Sequence, residues 1–252
     1  MLPAVLTLVL ALAAIVYLRE WLRSSTPGWR AASFILGLLC AWIAAASPVA
    51  SSDGRMLTAH MVQHLLLMTF APPLIWFGEP VKVLLPVLPQ LPLMPLGRLL
   101  SHPAFCWLSA AAALVVWHIP ALLRLGMQSP TWHLLEHASF FATGLLFWWP
   151  VIQPWPSVAR WPRWSMLLYL FLATLPCDVL SGLLVFSDRV AYPMYLCSSR
   201  HSGLPVLEDQ QFAGALMWTC VTVVFLVAGT ILSMQLLSHG RSHDQAVEAI
   251  RV

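Results

Sequence analysis

Met56-Leu-Thr-Ala-His60-Met-Val-Gln-His64-Leu-Leu-Leu-Met68-Thr-Phe-Ala-Pro72-Pro73-Leu-Ile-Trp-Phe77 runs for 22 residues without one Asp, Glu, Lys or Arg. At a rise of about 1.5 Å per residue, a helix of this length reaches across the roughly 30 Å apolar layer of a bilayer. The rest of the chain agrees with that reading. Its 252 residues are 60% hydrophobic and only 9% charged, with a mean hydropathy of +0.79. A soluble globular domain would have roughly a quarter of its residues charged. The fold class expected is an all-α, polytopic integral membrane protein.

Outward from Met56–Phe77, apolar runs place further spans near Leu2 to Leu18, Ala31 to Ser47, Pro103 to Leu123, Thr131 to Val151, Trp164 to Phe186 and Phe212 to Leu237, giving a bundle of seven transmembrane helices in one membrane domain over residues 1–252. That many spans leaves no room for a separate catalytic head. The first run has no cationic leader and is followed by Arg19, Glu20 and Arg23, so it reads as a retained span and not a cleaved signal peptide. Pro86, Pro89, Pro92 and Pro95 would each remove a helical hydrogen bond, so residues 79–102 read as an interfacial loop. Residues 238–252 form the tail. With this topology Arg55, Arg124, Arg189 and Arg200 lie on the N-terminal side, and the other nine of the 13 cations lie opposite. The positive-inside rule therefore puts the N-terminus outside and the C-terminus in the cytoplasm of a bacterial inner membrane. Trp148, Trp149, Trp155, Trp161 and Trp164 gather where an aromatic belt would anchor the third cytoplasmic connection. A net charge of +3 without a basic block excludes nucleic acid as a partner. The cysteines Cys40, Cys106, Cys177, Cys197 and Cys220 are scattered without a CxxC pair and imply no disulfide framework.

Nine histidines are unusual in such a chain, because an ionisable group inside a span is costly and marks function by default. Five of them share one depth. His60 and His64 open the third helix, His118 lies near the end of the fourth, and His133 and His137 open the fifth, all in the outer half of the membrane. The i, i+4 spacing of His60 with His64, and of His133 with His137, puts each pair on one helical face, where it can chelate an ion. Met56, His60, His64 and Met68 make a ladder of imidazole and thioether donors, a set that suits copper, Cu(I) above all, while imidazoles alone also admit zinc or iron. Glu136, Asp178 and Asp209 are charge partners on the same side, and Cys177 and Cys197 are further soft donors there. The bland alternative for each is packing or an interhelical hydrogen bond, and His102, His201, His239 and His243 are read that way.

Two enzyme readings compete. His133-Leu-Leu-Glu136-His137 matches the HxxEH pattern of a zinc peptidase, in which Glu136 would be the general base. Such an enzyme needs a third ligand and an open coordination position, which sequence does not supply. HxxxH pairs also occur in membrane di-iron oxygenases, although those carry more of them and face the cytoplasm. A purely structural scaffold remains a third possibility. Pro72 and Pro73 are expected to free carbonyls one turn upstream and kink the third helix below the ladder.

The ordered set of His60-Met-Val-Gln-His64-Leu-Leu-Leu-Met68 with Ala71-Pro-Pro73, Trp117-His118-Ile-Pro120, His133-Leu-Leu-Glu-His137, Phe147-Trp-Trp-Pro150 and Asp209-Gln-Gln-Phe-Ala-Gly214 with Met217-Trp218 resembles the multi-span CtaG family of cytochrome c oxidase assembly factors. The resemblance covers Met56 to Leu237. It implies a non-enzymatic helical membrane protein that matures a haem-copper oxidase, handling copper on the outer face of the membrane. Its motif positions fall on His60, His64, His118, His133, His137, Asp209 and Gln210. The implied partners are an oxidase subunit and a periplasmic copper chaperone.

Overall fold

The structure, a computed structural model, describes residues 2–47, 56–84, 102–153, 161–197 and 204–251. Among them the regular elements are helical: α1 (Leu2–Trp21), α2 (Gly28–Ala45), α3 (Leu57–Leu65), a π turn (Leu66–Phe70), α4 (Ala71–Phe77), α5 (Pro80–Leu84), α6 (Pro103–Trp117), α7 (Pro120–Gln128), α8 (Pro130–Ile152), α9 (Arg163–Val185), a 3-10 turn (Pro193–Cys197) and α10 (Val206–Arg251). The chain is a helical membrane protein. Among the described residues four helices are long and apolar enough to cross a bilayer, Leu2–Trp21, Gly28–Ala45, Trp164–Val185 and Val206–Ser238, and a fifth span results if α6 and α7 count as one. Most of the interfacial loop expected over residues 79–102 lies outside the described residues, apart from its start through α5. The last apolar span ends at Ser238, next to the expected Leu237, and the helix α10 continues beyond it to Arg251.

The fourth span expected over Pro103–Leu123 is not one straight helix. It ends at Trp117, and α7 leaves at 78° to it. Pro120 is the cause: a residue before proline is pushed out of the α region, and Ile119 is extended at φ −65°, ψ 123°. His118 becomes the residue at the bend.

The stretch expected as the third span forms a rod of α3, the π turn and α4, and its neighbours are α2, α8 and α10. Pro72 has no N–H to give Met68 O, its α-helical acceptor four residues back. The chain responds by widening, and Ala71 N–H donates to Leu66 O across a π turn. The carbonyl left over at Met68 accepts the indole N–H of Trp148 at 3.2 Å. Trp148 is therefore no interfacial anchor: it is 3% exposed, in a cluster with Phe147 and Tyr169, because its N–H has a partner only inside the bundle. Trp149 stacks edge-on against Trp76, while Trp161 and Trp164 are exposed as an anchor would be, and Trp155 lies outside the described residues.

Helix α1 presents Leu8, Leu12 and Ile15 outward and is fixed by a single buried aromatic. Tyr17 stacks on Phe34 of α2 with ring centres 3.9 Å apart, and its hydroxyl donates to Gly78 O at 2.8 Å. At the same end Arg30 and Glu79 form an ion pair.

Candidate metal centre

Helix α3 carries His60 and His64 one turn apart, with ring centres 4.2 Å from each other. Helix α8 brings His133 and His137 on the same spacing, 4.1 Å between rings, with Glu136 between them. Where the two helices dock, Glu136 is fully buried. Its Oε1 accepts from His60 Nε2 at 3.2 Å and lies 3.1 Å from His64 Nε2, off the direction of a hydrogen bond. One ligand atom from each of His60, His64 and Glu136 can be chosen so that all lie within 4.8 Å of one another. The other three histidines ring this triad: His133 sits 6.2 Å from His60, and His118 and His137 sit 6.2 Å and 6.1 Å from His64, measured between ring centres. Residues from α3, α8 and the α6–α7 bend thus meet at one end of the bundle.

The bend orients His118. Its Nδ1 lies 2.7 Å from Leu114 O and so carries the proton, which leaves Nε2 as a lone-pair donor. Trp117 next to it donates to Ser139 Oγ at 2.7 Å, and Ser139 donates to Glu136 O at 2.7 Å, tying the bend to the acid. His60 Nδ1, His64 Nδ1, His118 Nε2, His137 Nε2 and Glu136 Oε2 are buried without a hydrogen-bond partner. Each such atom costs about 1–3 kcal/mol if nothing binds it. Four imidazole nitrogens and a carboxylate oxygen make a donor set for an ion, and the tetrahedral or lower coordination of copper or zinc draws on such nitrogen and oxygen donors.

Several expected residues stand elsewhere. Met56 is the N-cap of α3 in extended backbone, φ −140°, and Met68 lies in the π turn, so the four-rung ladder Met56–His60–His64–Met68 does not exist as one helical row. Asp178 lies on half-buried α9 surface and is not in the triad. Asp209 reaches the backbone and not an imidazole. Its carboxylate accepts from Leu57 N–H at 2.6 Å, Thr58 N–H at 3.3 Å and Thr58 Oγ1 at 2.6 Å, capping α3 from another helix. Gln210 beside it accepts from Ala191 N–H at 2.7 Å and donates to Arg189 O at 3.2 Å, holding the loop between α9 and α10. In that loop burial pushes the pKa of the Tyr192 hydroxyl up to about 12, and the neutral hydroxyl donates a hydrogen bond to His118 O at 3.0 Å. Asp209→Ala is expected to destabilise the protein by about 1–2 kcal/mol through loss of the cap, with Asp209→Asn keeping about half. Thermal unfolding in detergent reads the difference.

Two contributors escaped sequence reasoning. A Cβ at Gly126 would meet Glu136 Oε2 at 2.5 Å, so α7 needs glycine there to leave the acid its place. Tyr192 gave no signal because its acceptor is 74 residues away.

The fold and the site together define a polytopic helical membrane protein with a buried histidine–glutamate cluster at one end. Residues 9–239 match the family described as cytochrome c oxidase caa3 assembly factor (Caa3_CtaG), and the chain belongs to that family. Its description is that of an oxidase assembly factor. Uncharacterized proteins of Mycobacterium bovis and Mycobacterium tuberculosis are each 25% identical over 219 residues, covering 75% of this chain and 32% of theirs. The chain thus spans about a third of the length of these curated relatives. No solved structure matches it.

Proposed function

We propose that the protein binds a copper ion at the histidine–glutamate cluster and passes it to an oxidase subunit during maturation. The observation that carries this reading is the convergence of His60, His64 and Glu136 from two helices, with unpartnered nitrogens of His118 and His137 beside them. His60, His64 and His137 are the first ligands, and His118 and His133 complete or orient the set. Cytochrome c oxidases need copper, so a family that assembles them has a use for such a site. Transfer needs ligands that yield one at a time, and a cluster with more imidazoles than a four-coordinate ion can use provides spares.

In this reading the chain crosses the inner membrane seven times, with the α3–π–α4 rod and α8 as spans beside those of sufficient apolarity. The N-terminus and the cluster face outward, where a periplasmic copper chaperone can load the site.

Elemental analysis of protein purified in detergent, as isolated and after Cu(I) loading, tests the proposal. Near one copper per chain is expected, falling to background in His60→Ala/His64→Ala while the protein stays in the membrane. Zinc or iron in place of copper, or no metal under any loading, would overturn it.

A further inference from the structure

Behind His64 lies a partly open cavity of about 50 Å³. Its wall includes Met61 from α3, Met68 from the π turn, Cys177 from α9 and Met217 from α10, together with His64 and His118. Methionine fills gaps in many cores, and thioethers alone would signify packing. What packing does not account for is the pair of imidazoles. His64 and His118 are each 6% exposed, and His64 Nδ1 and His118 Nε2 have no hydrogen-bond partner. A buried water needs two to four polar partners, and most of this wall is apolar or sulfur.

We propose that this cavity is a second metal site, selective for a soft monovalent ion such as Cu(I). The inference rests on the copper-transfer reading above. Thioether and thiol sulfur with imidazole nitrogen is the donor set that prefers Cu(I) to zinc. Charge points the same way. Glu136, 3.1 Å from His64 on the other side, is the adjacent negative group and balances one positive charge, not two. Size excludes a larger guest: a single water needs about 10–15 Å³ measured this way, so the cavity holds an ion with at most a few waters, and no haem. His64 borders both sites. An ion leaving His60 and Glu136 keeps His64 as a ligand while sulfur replaces the other two, so it is never without coordination in the apolar interior. Met68 reaches this wall from the π turn, and its backbone carbonyl, left without an α-helical donor by Pro72, is taken by Trp148.

Silver(I), redox-inert and similarly soft, is the probe. X-ray absorption at the silver edge of the loaded wild-type protein in detergent should show sulfur neighbours. Met61→Leu/Met68→Leu/Cys177→Ala/Met217→Leu, which keeps the wall apolar and close to its volume, should lose them and bind silver at least about 10-fold more weakly. Selenomethionine-labelled wild-type protein gives a reading that needs no variant: absorption at the selenium edge should show a silver neighbour. Nitrogen and oxygen neighbours alone, with none at selenium, would overturn the cavity site. Copper bound at His60 and Glu136 alongside that result would leave the transfer reading intact. Silver held by sulfur in a protein whose His60→Ala/Glu136→Gln variant loses no copper would keep the cavity and sink the transfer reading.

Discussion

Glu136→Gln should weaken copper binding by about 100-fold or more, equivalent to about 2.7 kcal/mol, without lowering the thermal stability of the protein before metal is added. The two halves of this result have one cause. Glu136 is fully buried, and His60 and His64 both face its Oε1 at 3.2 Å and 3.1 Å. A buried ion in low dielectric depends on a fixed countercharge, and the amide offers none. Yet the amide is the same shape, and a buried carboxylate contributes little net stability once its own desolvation is counted. Its NH₂ also gives the site donors for imidazole lone pairs that otherwise have no partner. A purely structural acid would show the opposite pattern, with metal retained and the melting temperature lowered. Calorimetric titration with Cu(I) and a thermal melt on the same preparation separate the two.

The site was more legible in sequence than the fold that builds it. His60 with His64, and His133 with His137, declare a shared face because i, i+4 spacing is a property of one helix. Their meeting across helices followed from depth alone, since each pair opens its own apolar run. The same logic failed for Met68. The ladder assumed a uniform helix, and Pro72 acts four residues before its own position by removing the partner of Met68 O. A single straight span also does not hold at His118, expected near the end of the fourth helix, where Pro120 turns the chain by 78° and makes that residue a corner. Prolines were visible in both places, but whether a proline kinks, widens or ends a membrane helix depends on which neighbour can take the freed carbonyl. At Pro72 the neighbour is Trp148 from α8, whereas Val116 O, four residues before Pro120, is taken inside the bend by Ile119 N–H at 3.2 Å. Asp209 was placed on the correct side yet given the wrong partner. A carboxylate near a histidine cluster reads as its counterion, whereas the start of α3 offers two backbone N–H groups to the same oxygens.

Gly144→Ala should cost about 1–3 kcal/mol and weaken copper binding by about 10-fold, although no atom of Gly144 touches the site. A Cβ there would lie 2.9 Å from Met68 Cα, 2.9 Å from Met68 O and 2.9 Å from Pro72 Cγ. Two of these are backbone, and none can swing aside as the end of a flexible chain would. The methyl therefore pushes α8 away from the π turn. Glu136 and His137 lie on α8 two turns earlier, while His60 and His64 lie on α3, so the displacement opens the cluster itself. A coordination site tolerates an error of only about 0.5 Å. The Trp148 bond to Met68 O crosses the same seam and stretches with it. Gly182, on α9, supplies the control, since a Cβ there meets nothing within 4 Å. Gly182→Ala should instead gain about 0.5–1 kcal/mol from helix propensity and leave copper affinity unchanged. Equal effects of the two substitutions on melting temperature and metal binding would mean that close approach at Gly144 does not set the geometry of the cluster.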